Sequence, residues 1–201
     1  MTSPSPLPSD AQLDALREVA NIGCGHAANA LARLMGDRVV NVSVPSAALV
    51  RPLEASSMLG AGGPDVLCAK LRVEGALEGM LLLVHTQEDA QALQALLLPG
   101  NVAPEEAESA LMEVANILAS ACLSAIGGLT GWRLMPSVPS LVRAPAAEVL
   151  AGALGEVRGG AERVMLLEAR LDSPSAPAIA GQLLLLLDEP SSTRLLERLG
   201  V

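Results

Sequence analysis

Glu18-Val19-Ala20-Asn21-Ile22 returns letter for letter as Glu113-Val114-Ala115-Asn116-Ile117. Glu and Asn are residue types that can do short-range chemistry. A carboxylate grips a cation or takes a proton, and an amide donates and accepts at once, so it can hold and aim a water. A helix has 3.6 residues per turn, so positions three and four apart are neighbours. Asp14, Glu18, Asn21 and Gly25 then share one stripe, and Ser109, Glu113, Asn116 and Ser120 share its counterpart. Each stripe falls roughly 115° from the centre of the apolar stripe on the same helix, toward solvent or the rim of the core. Each places an acid, an amide one turn later and a small residue one turn after that, which leaves room for something to approach. Such a pair could complete an active site whose electrophile and metal stand on a partner protein.

An exposed Glu or Asn on a helix is ordinarily just solvated. The duplication argues for more, because most exposed positions differ between the two halves. A second shared string supports it: Ser43-Val44-Pro45-Ser46 and Ser137-Val138-Pro139-Ser140. The catalytic candidates are therefore Glu18, Asn21, Glu113 and Asn116. Asp14, Ser109, Pro45 and Pro139 are associated with the same motif.

The elements that must position these residues repeat as well. Residues 1–9 are rich in Pro and Ser and read as a flexible leader. Asp10 is the expected N-cap of a first helix, whose core stripe runs Leu13, Leu16, Ala20, Cys24, Ala27, Leu31 and Leu34 until Gly36-Asp37 stops it. A strand over Val39–Val50 follows, with Pro45 at an edge or bulge. Residues 51–64 form a linker with at most a short helix around Leu53–Leu59. Strands are expected over Val66–Val73 and Leu77–Val84 about a Glu74-Gly75 turn, then a helix capped by Thr86 and running to about Leu98. The cycle restarts with a helix over Ala103–Leu129 that carries Pro104 in its first turn. Gly131 stands 95 residues after Gly36. A strand over Trp132–Val142, a short helix over Ala146–Leu154, paired strands over Val164–Leu171 and Ile179–Leu187, and a last helix capped by Ser191 or Ser192 complete it. The fold class is α+β, an internal duplication with pseudo-twofold symmetry in which two long helices pack with antiparallel strands. The expected organisation is a single domain over 10–201 made of two repeats, about 10–100 and 103–201.

Bulk properties narrow the function. Half of the chain is hydrophobic (51%), Trp132 is its single aromatic residue, and 22 acidic residues face 13 basic ones. A chain of net charge −9 repels phosphate backbones, and without aromatics it offers no platform for stacking bases, so nucleic acid is not an expected partner. The longest apolar runs, such as Leu183–Leu187, are strand-sized, so membrane insertion is not expected. The start of the chain lacks the pattern of a signal peptide, and a cytoplasmic location is expected. Cys24, Cys68 and Cys122 are odd in number and far apart, which reads as buried reduced thiols. With only His26 and His85 besides, no metal site is expected within the chain.

The two signatures, Asp14-x3-Glu18-x2-Asn21 and Ser109-x3-Glu113-x2-Asn116-x22-Pro139, resemble those of the CheC family of chemotaxis phosphatases, together with the CheX and FliY relatives. The resemblance runs from about residue 10 to residue 200. One departure is visible: 23 residues, not 22, separate Asn21 from Pro45, and the extra one is expected in the Gly36-Asp37 turn or as a strand bulge.

The resemblance implies a CheC-like domain that hydrolyses the aspartyl phosphate of the response regulator CheY or a similar receiver domain. Glu18 and Glu113 would each bind the regulator's active-site lysine, and Asn21 and Asn116 would each orient the attacking water. Mg²⁺ would belong to the regulator, with no cofactor bound by this chain. CheD is implied as a second partner that modulates the activity. The alternative is an adaptor that binds CheD or docks at the flagellar switch, with weak or vestigial hydrolysis.

Overall fold

The computed structural model describes residues 8–43, 46–51, 64–157, 163–175 and 177–201. Helix α1 spans Asp10–Leu34. Ser9, not Asp10, is its N-cap: the Ser9 hydroxyl accepts from the backbone N–H of Gln12, and the Gln12 side chain accepts from the N–H of Ser9. This reciprocal capping box satisfies two helix-end donors, so the helix starts where Ser9 can close it. Strands β1 (Asn41–Val42) and β2 (Ser46–Val50) replace the single expected strand. Pro45 and the expected short helix at 53–59 lie outside the described residues.

Strands β3 (Asp65–Gly75) and β4 (Gly79–Thr86) form a hairpin. Glu74 and Gly75 belong to β3, so the turn starts two residues later than expected, at Ala76. They are held there because β3 continues into pairing with β5, Glu74 opposite Met135 and Gly75 opposite Leu134. Thr86 caps helix α2 (Gln87–Leu97) as expected, its hydroxyl accepting from the N–H of Asp89. The second long helix, α3, spans Pro104–Thr130 and ends at Gly131 in the left-handed region (φ 74°). Next come β5 (Leu134–Pro136), β6 (Ser140–Pro145), helix α4 (Ala146–Val157), β7 (Val164–Ser173), β8 (Ile179–Asp188) and helix α5 (Glu189–Leu199). Asp188, not Ser191 or Ser192, caps α5, its carboxylate accepting from the N–H of Ser191. Both serines are buried in the first turn instead, where the Ser191 hydroxyl accepts from the N–H of Glu78.

One antiparallel sheet runs through both halves, in the order β1/β2, β7, β8, β4, β3, β5/β6. Each half gives its first strands to the other half's hairpin. β2 pairs with β7, Ser46 opposite Glu168, and β6 pairs with β3, Ser140 opposite Lys70. The two hairpins meet at the centre, β4 against β8, with Leu81 opposite Leu185 and Leu83 opposite Leu183. This exchange lets halves with few strands of their own bury both faces of a common sheet. Helices α1 and α3 pack on each other, and with α2 and α5 they cover one face of the sheet, where Leu81, Leu83, Leu183, Leu185 and Leu187 are buried. On the opposite face α4 covers Met80, Leu82, Leu184 and Leu186. The unbroken Leu run of β8 is thereby explained, since a strand buried on both faces has no polar side to alternate with.

The extra residue of the first copy is Asp37. Gly36 and Gly131 share φ 74°, but only Gly36 is followed by a second left-handed residue, Asp37 at φ 59°. Asp tolerates that region better than most side chains, so the insertion is absorbed in the turn. The register of α1 is left intact.

The chain's apolar runs also need a correction. α3 is long and apolar enough, by length and composition, to cross a membrane. Its apolarity is spread over Ala, Gly and Ser between Leu residues, which is why short runs did not reveal it. In the fold its stripe from Leu111 to Ile126 is buried against α1 and the sheet. The three cysteines are buried and unpaired, as expected.

Candidate functional site

The first turns of α1 and α3 are set by the Ser9 capping box and by Pro104, and each helix then buries one side. In α1 the buried set includes Leu16, Val19, Ala20 and Gly23; in α3 it includes Leu111, Val114, Ala115 and Leu118. Within the repeated string, the Val and Ala are packing residues. The Glu and Asn face the other way. Glu18, Asn21, Glu113, Asp14 and Ser109 are exposed, and Asn116 is half-buried. The helical stripe read from the spacing is therefore present on both helices.

In the second copy the stripe forms one wall of a cleft of about 360 Å³, lined by Ser109, Met112, Glu113, Asn116, Pro136, Ser137, Val138 and Pro139. The opposite wall is the link between β5 and β6. All four motif positions of this copy, Ser109, Glu113, Asn116 and Pro139, thus meet in one cleft although 29 residues separate Ser109 from Pro139.

Ser137 holds that wall. Its N–H donates to the carbonyl of Arg72 at 2.9 Å, and its hydroxyl accepts from the N–H of Arg72 at 2.9 Å. The same hydroxyl donates to the carbonyl of Val138 at 3.2 Å. Ser43 does the same in the first copy: its N–H donates to the carbonyl of Arg170 at 2.9 Å, and its hydroxyl accepts from the N–H of Arg170 at 3.1 Å. Ser43 and Ser137 are the leading serines of the second repeated string, and each clamps its link to a strand of the other half.

The two copies differ beside the Glu. In the first, Arg17 donates to Asp14 at 2.6 Å, an exposed i,i+3 pair of little energetic weight. In the second the position equivalent to Arg17 is Met112, which lines the cleft, and the position of Asp14 is Ser109. Pro45, the remaining motif position of the first copy, lies outside the described residues.

Sequence reasoning selected Pro139 from the second string and passed over Ser137, Val138, Met112 and Pro136. The signal for Ser137 was present, since Ser and Pro recur together in both strings. Met112 carried none, because its counterpart is Arg17. Each copy offers one carboxylate and one amide at its centre. Among the described residues no group of three or more His, Cys, Asp or Glu side chains gathers to hold a metal ion.

The comparisons with known proteins bear on this arrangement. The sequence pattern of the CheC-like family matches residues 12–48, which hold the first Glu–Asn pair. The CheY-P phosphatase CheC of Bacillus subtilis (strain 168) is 31% identical over 197 residues, which is 94% of this chain and 94% of that one. In three dimensions the chain is similar to Thermotoga maritima FliY, with a TM-score of 0.76 at 17% identity, covering 96% of this chain and 98% of that chain. It is also similar to a chain of the CheX-CheY-BeF3-Mg complex from Borrelia burgdorferi, with a TM-score of 0.55 at 14% identity, covering 85% of this chain and 98% of that chain. Identity of 31% over 94% of both chains, with the family's pattern matched at residues 12–48, leads to one conclusion: this chain belongs to the CheC-like family.

Proposed function

We propose that this chain is a phosphatase for the aspartyl phosphate of a CheY-type receiver domain, and that it works from two Glu–Asn sites. The observation that carries the reading is the second cleft, in which Glu113 and Asn116 stand on a helix face opposite a clamped link. The named activity of the Bacillus subtilis relative, and the receiver domain in the complex with the structurally similar CheX, support the same substrate class.

Each residue has a role that fits its position. Glu113, exposed on the helix, pairs with a lysine ammonium of the partner and fixes the approach of the two proteins. Asn116, half-buried in the cleft wall, reaches beside the acyl phosphate. Its carbonyl oxygen accepts from a water while its NH₂ donates to a phosphoryl oxygen, which holds that water in line with the bond that breaks. Phosphoryl transfer asks mainly for positioning and charge stabilisation, so one amide that fixes a water supplies much of what is needed. Glu18 and Asn21 act in the same way on α1. Asp14 and Ser109 flank the pairs one turn earlier and shape the helix surface met by the partner.

Mg²⁺ neutralises phosphoryl charge in such reactions. It prefers six oxygen ligands in an octahedron, whereas each Glu–Asn pair offers one carboxylate and one amide, so we assign the ion to the partner's carboxylates. CheD is proposed as a second partner that modulates the rate. The alternative reading, an adaptor at CheD or the flagellar switch, draws on the similarity to FliY.

The test is phosphate release from a phosphorylated receiver with the wild type and with Asn21→Ala plus Asn116→Ala. The double variant should release phosphate no faster than the receiver does alone, while still binding it. Undiminished release by the double variant would sink the mechanism. No acceleration by the wild type, with CheD or without it, would favour the adaptor.

A further inference from the structure

Val138 is the most exposed large apolar residue among the described residues, at 89%, yet hydrogen bonds hold the backbone on its N-terminal side. Pro136 and Pro139 bracket it and fix two φ angles. Ser137, immediately before it, makes the double clamp to Arg72 and closes on the carbonyl of Val138 itself. A mobile loop could turn a valine inward; this one is held so that the side chain points to solvent. It does so at the rim of the cleft that contains Glu113 and Asn116, with Met112 on the facing helix.

The cleft is thus divided. One part is polar, with Ser109, Glu113 and Asn116, and the other is apolar, with Met112, Pro136, Val138 and Pro139. Among the described residues Glu113 is the only charged one lining it, so on its polar side a partner gains one ion pair and on the other side meets apolar surface. Exposed apolar side chains on a pre-organised wall bind without an ordering cost, which is how such a surface gains affinity.

We propose that Val138 and Met112 form an apolar seat that takes a hydrophobic side chain flanking the phospho-aspartate on the receiver, and so decide how tightly the second site accepts a given receiver. This inference rests on the phosphatase reading of the same cleft. The seat binds substrate and transition state alike, so it acts on KM and not on the chemical step. Arg17 stands where Met112 stands in the other half, so the first site has no equivalent of the Met112 side of the seat.

The experiment uses the full chain carrying Asn21→Ala, so that only the second site turns over, with a CheY-type receiver phosphorylated by acetyl phosphate in Mg²⁺. Val138→Ser should raise KM about five- to tenfold with kcat within about twofold, and Val138→Ile should restore KM. Val201→Ser, which removes an exposed valine next to α5, serves as the control and should change neither. An unchanged KM in Val138→Ser overturns the seat, as does a loss confined to kcat, which would make the link a device for positioning Asn116. Loss of all turnover in Asn21→Ala alone also overturns it. No release by the unsubstituted chain fails the phosphatase reading itself, a result distinct from these.

Discussion

Ser137 and Arg72 hold each other by two hydrogen bonds at 2.9 Å, one from the Ser N–H to the Arg carbonyl and one from the Arg N–H to the Ser hydroxyl. The pair joins the link that forms one wall of the candidate site to a strand of the other half of the chain. Ser137→Ala keeps the first bond and removes the second, leaving an exposed N–H that water can reach. The expected cost is about 0.5–1.5 kcal/mol, or a few degrees in melting temperature for a chain of this size. The larger effect should fall on the KM of the second site, measured in the Asn21→Ala background. Ser43→Ala, the matching clamp on Arg170 in the first half, should cost similar stability and leave the second site alone. Equal effects of the two substitutions on the second site would refute the division of labour.

Glu113→Gln and Glu18→Gln keep the shape of the side chain and remove its charge. Each should raise KM about tenfold at its own site with a smaller change in kcat, because the carboxylate is assigned to docking. The Asn→Ala variants should show the reverse, a lower kcat with little change in KM. Steady-state phosphate release, with the other site silenced by its Asn→Ala change, separates the two patterns.

Gly23 lies where α1 crosses α3. A Cβ there would stand 2.8 Å from Sγ of Cys122, well inside contact distance. Ala is the better helix former by about 1 kcal/mol, but overpacking costs about 1–3 kcal/mol, so Gly23→Ala should destabilise or at best break even. Cys122→Ala removes the obstructing sulfur. The double variant should then be more stable than the sum of the single changes, by about 0.5–3 kcal/mol of coupling in a denaturant-unfolding cycle. Strict additivity would mean the helices separate without strain.

His85 is buried, and burial holds its pKa below the ordinary histidine range, opposed by the hydrogen bond to Ala180 and by the nearby Asp89 carboxylate. Nδ1 lies 2.8 Å from the carbonyl oxygen of Ala180, which can only accept, so Nδ1 carries a proton. Nε2 is buried without a partner. The unfolded chain protonates this residue at a higher pH than the folded one does. Its neutral burial is therefore fully favourable above the unfolded value near pH 6.5, and stability falls as pH drops below it, by up to about 1.4 kcal/mol per pH unit. Unfolding free energies measured between pH 8 and pH 5 should show that slope, and His85→Gln should reduce it. Gly181 packs on this ring, and a Cβ there would stand 2.6 Å from Cε1, so a larger residue at 181 would displace it.

Much of the site was legible in one dimension because helical spacing is local. Asn21 stands three positions after Glu18, and Asn116 three after Glu113, and that alone puts each pair on one face. The insertion was legible too, as a count between Asn21 and Pro45, and its place in the turn follows from how well Gly36 and Asp37 tolerate positive φ. The caps of α1 and α5 were misread by one to four residues. Ser9, Asp10, Asp188, Ser191 and Ser192 can all cap, and the choice falls to whichever oxygen the neighbouring N–H groups reach.

The amino-acid sequence by itself determined the two helices and the acid–amide pair that recurs on each. All of this rests on interactions between residues close in the chain. Only the tertiary structure decided what faces each pair. The strand exchange that sets β5 and β6 against β3, and β1 and β2 against β7, brings Pro139 opposite Asn116 and ties Ser137 to Arg72. Those meetings depend on a sheet built from strands of both halves, whose pairing is driven by the joint burial of its Leu-rich centre. The pattern within any one segment does not encode them.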